Sequence, residues 1–196
     1  MTESLVHKKL ERTLQVKTLT DFVRAKNQEQ VYLLIDVSGS MRDTMRNGKE
    51  RIDGLREVVK GIQEERRTLM IAFGGSGTGS YGDNPQGVRV VSSVPNAGGS
   101  TPLTQAIDLA RTQNAGRVIV ISDGMPDNPT TALEAAKRLG GRIDVVFVGD
   151  PGEYGEAFLK QLAEATGGTE FHGDLSEPKK ITGGIVGLLT TGDDDE

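Results

Sequence analysis

Short apolar runs alternate along this chain with longer segments in which apolar residues recur at helical spacing. Five of the runs are rich in β-branched residues, as buried strands are. They cover residues 31–35, 69–73, 88–94, 118–121 and 143–148. Four are almost continuously apolar, which predicts central parallel strands, whereas Arg89, Ser92 and Ser93 in the third predict an edge strand. A weaker sixth strand is predicted near residues 169–171, after a Gly-Gly breaker.

Between these runs, apolar residues spaced by three and four predict amphipathic helices. The predicted helices cover about residues 4–25, 50–66, 153–166 and 176–190. Two more are predicted after Thr101-Pro102 and Asn128-Pro129, because each pair places a capping residue before a proline suited to the first helical position. Strands and helices that alternate in this way are typical of an α/β fold.

The length and composition suit one globular domain. The chain has 196 residues, of which 35% are hydrophobic and 26% charged. We expect the domain to cover residues 29–190, after a helical extension over 1–28 and before an acidic, disordered tail over 191–196. The segment 74–87 is rich in glycine and is expected to form a loop.

Charge, cysteine content and hydropathy exclude several functions. The net charge is −5 and the 23 Lys and Arg residues are scattered, which argues against a nucleic-acid partner. The chain has no cysteine, so disulfides, thiolate catalysis and cysteine metal sites are excluded. The N-terminal segment has no apolar core typical of a signal peptide, and no segment reaches the roughly 18 apolar residues of a membrane span. We therefore expect a cytoplasmic protein with no membrane partner.

Residues with side-chain oxygens stand where two of the predicted strands end. Asp36, Ser38 and Ser40 follow the first strand. Asp123 follows the fourth, and Thr101 is expected to cap the helix that precedes that strand. Because open parallel sheets bind ligands in the crevice at the carboxyl ends of their strands, the acids and hydroxyls are expected to face a common space.

Three separated motifs, taken together, resemble the metal-ion-dependent adhesion site of von Willebrand factor type A domains. They are Asp36-x-Ser38-x-Ser40, Thr101 within GGSTPL and Asp123 within SDG. The resemblance covers roughly residues 30–185. It implies a doubly wound, mostly parallel sheet of six strands in the order 3-2-1-4-5-6, with one antiparallel edge strand and helices on both faces. It also implies that the five motif residues form one metal site with a coordination position left open.

The candidate ligands all carry oxygen, and His7 and His172 stand far from them in the sequence. Oxygen ligands suit a hard cation, so Mg²⁺ is expected, with Mn²⁺ or Ca²⁺ as alternatives. A cation held mainly by neutral hydroxyls keeps positive charge, which an Asp or Glu of a partner protein could meet. We therefore expect a non-catalytic, protein-binding adaptor. Bacterial members of the family often serve ATPase or chelatase machines, so such a machine is a candidate partner.

Three other interpretations compete with this one. Ser38 and Ser40 could satisfy backbone amides at a turn, but the charges of Asp36 and Asp123 at adjacent strand ends favour a shared cation. A metal-dependent hydrolase of the phosphatase type needs a second Asp where Ser38 stands, so its proton donor is missing. A scaffold that has lost metal binding is disfavoured because every ligand type remains.

Two nearby features are interpreted as loops rather than as binding motifs. Asp43 and Asp127 lie close in sequence to the candidate ligands but are expected on solvated loops, outside the metal site. The glycines of segment 77–82 match the dinucleotide fingerprint by letter, yet residues 83–87 break the helix that the fingerprint must open. We therefore expect no nucleotide binding at this segment.

Overall fold

The computed structural model describes residues 31–65, 68–75 and 87–190. The predicted helical extension 1–28 and acidic tail 191–196 lie outside the described residues, as do most of the predicted loop 74–87 and its glycine pattern. Within the described ranges, strands alternate with helices as the apolar pattern predicts. None of the helices in this part of the chain is long and apolar enough to cross a membrane.

Six strands and five α-helices make up the described part of the chain. The strands are β1 Val31–Val37, β2 Leu69–Gly74, β3 Val88–Val91, β4 Arg117–Ser122, β5 Arg142–Phe147 and β6 Glu170–His172. The helices are α1 Arg51–Glu65, α2 Leu103–Thr112, α3 Pro129–Leu139, α4 Tyr154–Glu164 and α5 Pro178–Thr190. A 3₁₀ helix, Gly39–Arg42, follows β1, and the apolar periodicity does not predict it.

The strands form one sheet in the order β3-β2-β1-β4-β5-β6. β3 runs antiparallel to β2, and every other neighbouring pair is parallel. The predicted fold class is therefore confirmed, including the strand order and the antiparallel edge strand. β3 is shorter than the predicted run 88–94, because its ladder with β2 ends at Val91 and the exposed Ser92 and Ser93 follow.

Helices cover both faces of the sheet and give the domain two buried layers. Successive residues of β1 point to opposite faces, so Leu34 packs with α2, α3 and α4, whereas Leu33 packs with α1 and α5. Both leucines are fully buried, and burial of such a side chain stabilises the fold by about 1.5–3 kcal/mol. This double cover explains why the central strands are almost continuously apolar.

The two predicted proline-associated helix starts have different outcomes. At α3, the Asn128 side chain accepts a hydrogen bond from the Thr131 amide at 3.1 Å, which confirms the predicted cap. At α2, the predicted cap by Thr101 is wrong. Pro102 has φ −77° and ψ 57°, outside the helical region, and the Leu103 amide donates to the Thr101 carbonyl at 2.8 Å. This is an inverse γ-turn, so the helix begins one residue later than expected.

Candidate metal centre

The topology brings the two acidic strand ends to one place. β1 and β4 are parallel neighbours, with Ile35 paired to Ile121, so Asp36 and Asp123 lie at the same edge of the sheet. The helix after β1 packs on one face of the sheet and the helix after β4 on the other. β1 and β4 therefore flank the switch point at which open α/β sheets form a ligand crevice.

Asp36 lies at the floor of this crevice and is 0% exposed. Its Oδ1 accepts a hydrogen bond from the Ser38 amide at 2.8 Å, and its Oδ2 accepts one from the Ser122 hydroxyl at 2.5 Å. Burial, and then repulsion by Asp123, raise the pKa of Asp36 from 3.8 to about 7. The two neutral donors therefore do not fully offset the cost of a buried negative charge at Asp36.

A chain of hydroxyl contacts links the two candidate serines to the second acid. The hydroxyl oxygens of Ser38 and Ser40 lie 3.1 Å apart, and the Ser40 hydroxyl donates to Asp123 Oδ1 at 2.8 Å. Ser38 and Asp123 are each only 2% exposed, whereas Ser40 is exposed. The crevice therefore has buried acids at its base and opens to solvent beside Ser40.

Arg51, a residue that the sequence reasoning missed, contacts the second acid. It is the first residue of α1 and is 7% exposed. Its Nη1 donates to Asp123 Oδ2 at 2.8 Å, and its Nη2 donates to Glu153 at 3.1 Å and to Asp150 at 3.3 Å. Burial alone lowers the pKa of Arg51, but its hydrogen bonds and charge interactions with Asp123 and Glu153 outweigh burial and raise it.

Thr101 lies in a loop that adjoins residues 38–40, which carry the two candidate serines and are called the serine loop. The two loops meet where the Gly39 amide donates to the Gly99 carbonyl at 3.1 Å. The Thr101 amide donates to Asp127 Oδ1 at 2.8 Å, and the Thr101 carbonyl accepts from the Asp127 amide at 3.0 Å. Among the hydrogen bonds of the described residues, none joins the Thr101 hydroxyl to the other four candidate ligands. Asp127 thus fixes the backbone of Thr101.

The other nearby acid, Asp43, lies at the rim. Its side chain is 67% exposed, and its carboxylate lies 3.9 Å from Nη1 of Arg51.

Among the described residues, no group of three or more His, Cys, Asp or Glu side chains could hold a metal ion. At the candidate site, the carboxylates of Asp36 and Asp123 lie beside the hydroxyls of Ser38 and Ser40. These groups offer only oxygen ligands, and the two carboxylates repel each other, so the set fits a hard divalent cation.

The fold is similar to that of many solved structures, among them the following three. A von Willebrand factor type A protein from Catenulispora acidiphila matches with a TM-score of 0.59 and 15% identity, over 82% of this chain and 41% of that one. Proximal thread matrix protein 1 from the mussel byssus matches at 0.56 and 16%, over 81% and 45%. The vWF domain of the type V pili tip protein Mfa5 from Porphyromonas gingivalis matches at 0.55 and 12%, over 85% and 96%.

These likenesses show that the chain has the fold of von Willebrand factor type A domains. The chain spans less than half the length of the first two structures, at 41% and 45%, and nearly all of the third, at 96%. No protein-family model and no curated protein matches the sequence.

Proposed function

We propose that this chain is an adaptor that binds a divalent cation, preferably Mg²⁺, and through it captures an acidic side chain of a partner protein. The proposed ligands are Asp36, Ser38, Ser40, Thr101 and Asp123. The observation that carries the proposal is the pair of buried carboxylates at adjacent strand ends, one of which, Asp123, accepts a hydrogen bond from the exposed Ser40 hydroxyl. Asp36 and Asp123 repel each other across this crevice.

The contacts of the chain support this assignment. A bound cation would neutralise the two acids while keeping positive charge for an incoming carboxylate, because the hydroxyl ligands are neutral. Ser40 is exposed beside the buried Asp123, so a partner's side chain could approach from the solvent side of the crevice. A carboxylate that enters such a partly desolvated site gains more electrostatic energy than it would on an open surface.

The same contacts disfavour an enzyme. The hydroxyl oxygens of Ser38 and Ser40 lie within hydrogen-bond distance of each other, and Ser40 donates to Asp123. His172 lies on β6, two strands away from β4, and its ring packs against Phe147 with centroids 5.3 Å apart. The hydrolase alternative therefore still lacks the second Asp at the position of Ser38, and His172, the one histidine among the described residues, lies away from the serines. A cytoplasmic location stays part of this proposal, as does an ATPase or chelatase-type partner, which only the sequence resemblance implies.

The metal part of the proposal is tested by thermal unfolding of the full chain with Mg²⁺, with Mn²⁺ and with chelator. A ligand at about 100 times its dissociation constant stabilises the folded state by about 2.7 kcal/mol. For a protein of this size we expect the melting temperature to rise by roughly 5–11 °C. Identical melting curves under the three conditions would overturn metal binding.

The partner part is tested by capture from the native host with Mg²⁺ and with chelator. Thr101→Ala is the sharpest variant, because it removes a candidate ligand while leaving the backbone bonds of Thr101 to Asp127 in place. It should weaken partner capture more than it lowers the free energy of unfolding. Once a partner is identified, changing its critical Asp or Glu to the amide should have the same effect. An affinity indifferent to metal and to these changes would assign the partner to another surface.

A further inference from the structure

We propose that Arg51 is a fixed counter-cation that competes with the divalent ion for Asp123 and so weakens metal binding. This inference rests on the proposed metal site and extends it, because Arg51 belongs to no part of the metal-site motif. Its consequence is a site whose occupancy varies with the free metal concentration instead of staying saturated.

The first support is the way in which Asp123 is shared. Nη1 of Arg51 donates to Oδ2 of Asp123 at 2.8 Å, while the Ser40 hydroxyl donates to Oδ1 at 2.8 Å. Both carboxylate oxygens therefore have a partner, and one of these partners carries a full positive charge. A metal ion that uses Asp123 must share this carboxylate with a cation that is already in contact with it.

The second support is that Arg51 is held in place from several sides. Its Nη2 donates to Glu153 at 3.1 Å and to Asp150 at 3.3 Å, both in the segment between β5 and the body of α4. Its backbone amide donates to the Asp43 carbonyl at 3.0 Å. With 7% exposure, the guanidinium cannot turn into solvent when a metal ion binds nearby without breaking these contacts.

The sign of the effect follows from charge. If Arg51 served mainly to orient Asp123, its removal would weaken metal binding. Asp123, however, follows β4 directly and keeps its hydrogen bond from Ser40. Removal of the guanidinium therefore leaves the carboxylate anchored, with its negative charge no longer compensated by Arg51. Repulsion between the guanidinium and a divalent ion is poorly screened at a buried position, so the charge effect outweighs the loss of orientation.

The test is the Mn²⁺ affinity of the full chain, measured by calorimetry at low ionic strength. Arg51→Gln should bind Mn²⁺ on the order of tenfold more tightly than the wild type, since one nearby positive charge is lost. Arg51→Lys keeps the charge and should stay within about threefold of the wild type. Arg56→Gln is the matched control on the same helix. Arg56 forms a partly exposed pair with Asp53 at 2.7 Å, so its loss should change the affinity less than about twofold.

Two further readouts separate charge competition from a structural role. The gain in affinity of Arg51→Gln should largely persist as salt is added, because a repulsion between buried charges is screened much less than one between exposed charges. In chelator, the same variant should be less stable than the wild type, because Asp123, Asp150 and Glu153 lose their common cation. A gain that disappears in salt would indicate a long-range effect between exposed charges and would overturn competition at the buried carboxylate.

The outcomes also separate this inference from the proposed function. Mn²⁺ binding by the wild type with no gain, or with a loss, in Arg51→Gln would overturn the role of Arg51 and leave the metal site standing. Binding by Arg51→Gln but not by the wild type would support the inference and overturn the proposed function. Failure of both proteins to bind would overturn both. If Arg51→Gln does not fold, wild-type affinity in Arg51→Lys supports the charge effect, and much tighter binding there overturns it.

Discussion

The two acids at the crevice differ in the charges around them. Asp123 contacts the guanidinium of Arg51, whereas the donors to Asp36 are the neutral Ser38 amide and Ser122 hydroxyl. The negative charge of Asp123 is therefore partly compensated, whereas that of Asp36 is poorly compensated. This difference makes Asp36 the group that gains most from a bound cation.

Replacing the acids one at a time tests which of them bind the proposed cation. Asp36→Ala and Asp123→Ala should each abolish the rise in melting temperature caused by Mg²⁺. Asp43→Ala and Asp127→Ala should largely retain it, because both acids are exposed and Asp127 contacts only the backbone of Thr101, not the proposed ligand oxygens. Equal loss of the Mg²⁺ effect in all four variants would show that the ligand set is drawn wrongly.

The raised pKa of Asp36 predicts how the metal-free protein responds to pH. Its pKa is 3.8 in a model peptide and about 7 in the fold, so the native state binds the proton more tightly than the unfolded chain does. This contribution to stability is fully present below pH 3.8 and is lost as the pH rises through about 7. At about 1.4 kcal/mol per pKa unit, we expect a loss of a few kcal/mol between pH 4 and pH 8.

Urea unfolding of the metal-free protein at several pH values measures this loss. Asp36→Asn should flatten the dependence, because the amide does not titrate. Saturating Mg²⁺ should also reduce it, since the cation stabilises the ionised carboxylate in the folded state. Stability that rises from pH 4 to pH 8 in the wild type but not in Asp36→Asn would contradict the assigned shift.

At the residue scale, the sequence predicted the proximity of the two acids and the two serines, but not their full surroundings. Among the described hydrogen bonds, the Thr101 hydroxyl does not join them. A signal for Arg51 exists, because it shares the buried face of α1 with Leu55 and Val58 at helical spacing. Its partners, however, lie 72 to 102 positions further along the chain. No local pattern encodes such long-range pairing, so neither the ion pair nor the bond from Ser122 to Asp36 could be predicted.

At the scale of elements, the ends of strands and helices position the site. β2 ends at Gly74, whose φ of +94° is in the left-handed region. A Cβ added at Gly74 would lie 2.7 Å from the Ser38 amide nitrogen, closer than real side chains come. The end of β2 therefore supports the serine loop directly, and only glycine gives the backbone both this conformation and this proximity.

We expect Gly74→Ala to lower both the stability and the metal affinity. The φ angle costs about 1–2 kcal/mol for a residue with a Cβ, and the contact with Ser38 displaces a candidate ligand. Gly140→Ala is the matched control. Gly140 has a φ of +69° at the end of α3, but nothing lies within 4 Å of its added Cβ. Gly140→Ala should lower the free energy of unfolding by a similar amount and leave the Mn²⁺ affinity unchanged. Equal effects of the two variants on metal affinity would contradict the proposed support.

The elements themselves were largely predictable, and the exceptions are local. α1, α4 and α5 begin and end within two residues of the predicted bounds, because apolar periodicity reports directly on a buried helix face. The start of α2 was misplaced because Pro102 adopts a turn conformation that its residue type does not specify. The 3₁₀ helix Gly39–Arg42 has only Met41 buried, too little apolar pattern to predict it.

At the scale of the whole molecule, the sheet carries a second buried acid at the end opposite the crevice. Asp144, near the start of β5, accepts hydrogen bonds from Arg117 at 3.0 Å, from Arg142 at 2.7 Å and from the Thr169 amide at 2.9 Å. Arg117 also donates to the Leu188 carbonyl in α5 at 2.7 Å. This cluster fastens β4, β5 and α5 together. Unlike Asp36, its acid is compensated by two cations.

The two ends of the sheet should therefore respond differently to mutation. Asp144→Ala should lower the free energy of unfolding by about 3–5 kcal/mol, because it leaves the partly buried Arg117 without its carboxylate. This loss should be the same with Mg²⁺ and with chelator, since the cluster lies away from the crevice. Asp108→Ala, which removes a more exposed pair with Arg138 at 3.4 Å, should lower the free energy of unfolding by no more than about 1 kcal/mol.

Denaturant unfolding of the wild type, Asp144→Ala and Asp108→Ala, with Mg²⁺ and with chelator, measures these differences. If Asp144→Ala instead abolished the Mg²⁺ effect without unfolding the protein, the two ends of the sheet would be coupled, and the crevice alone would not account for metal-dependent stability.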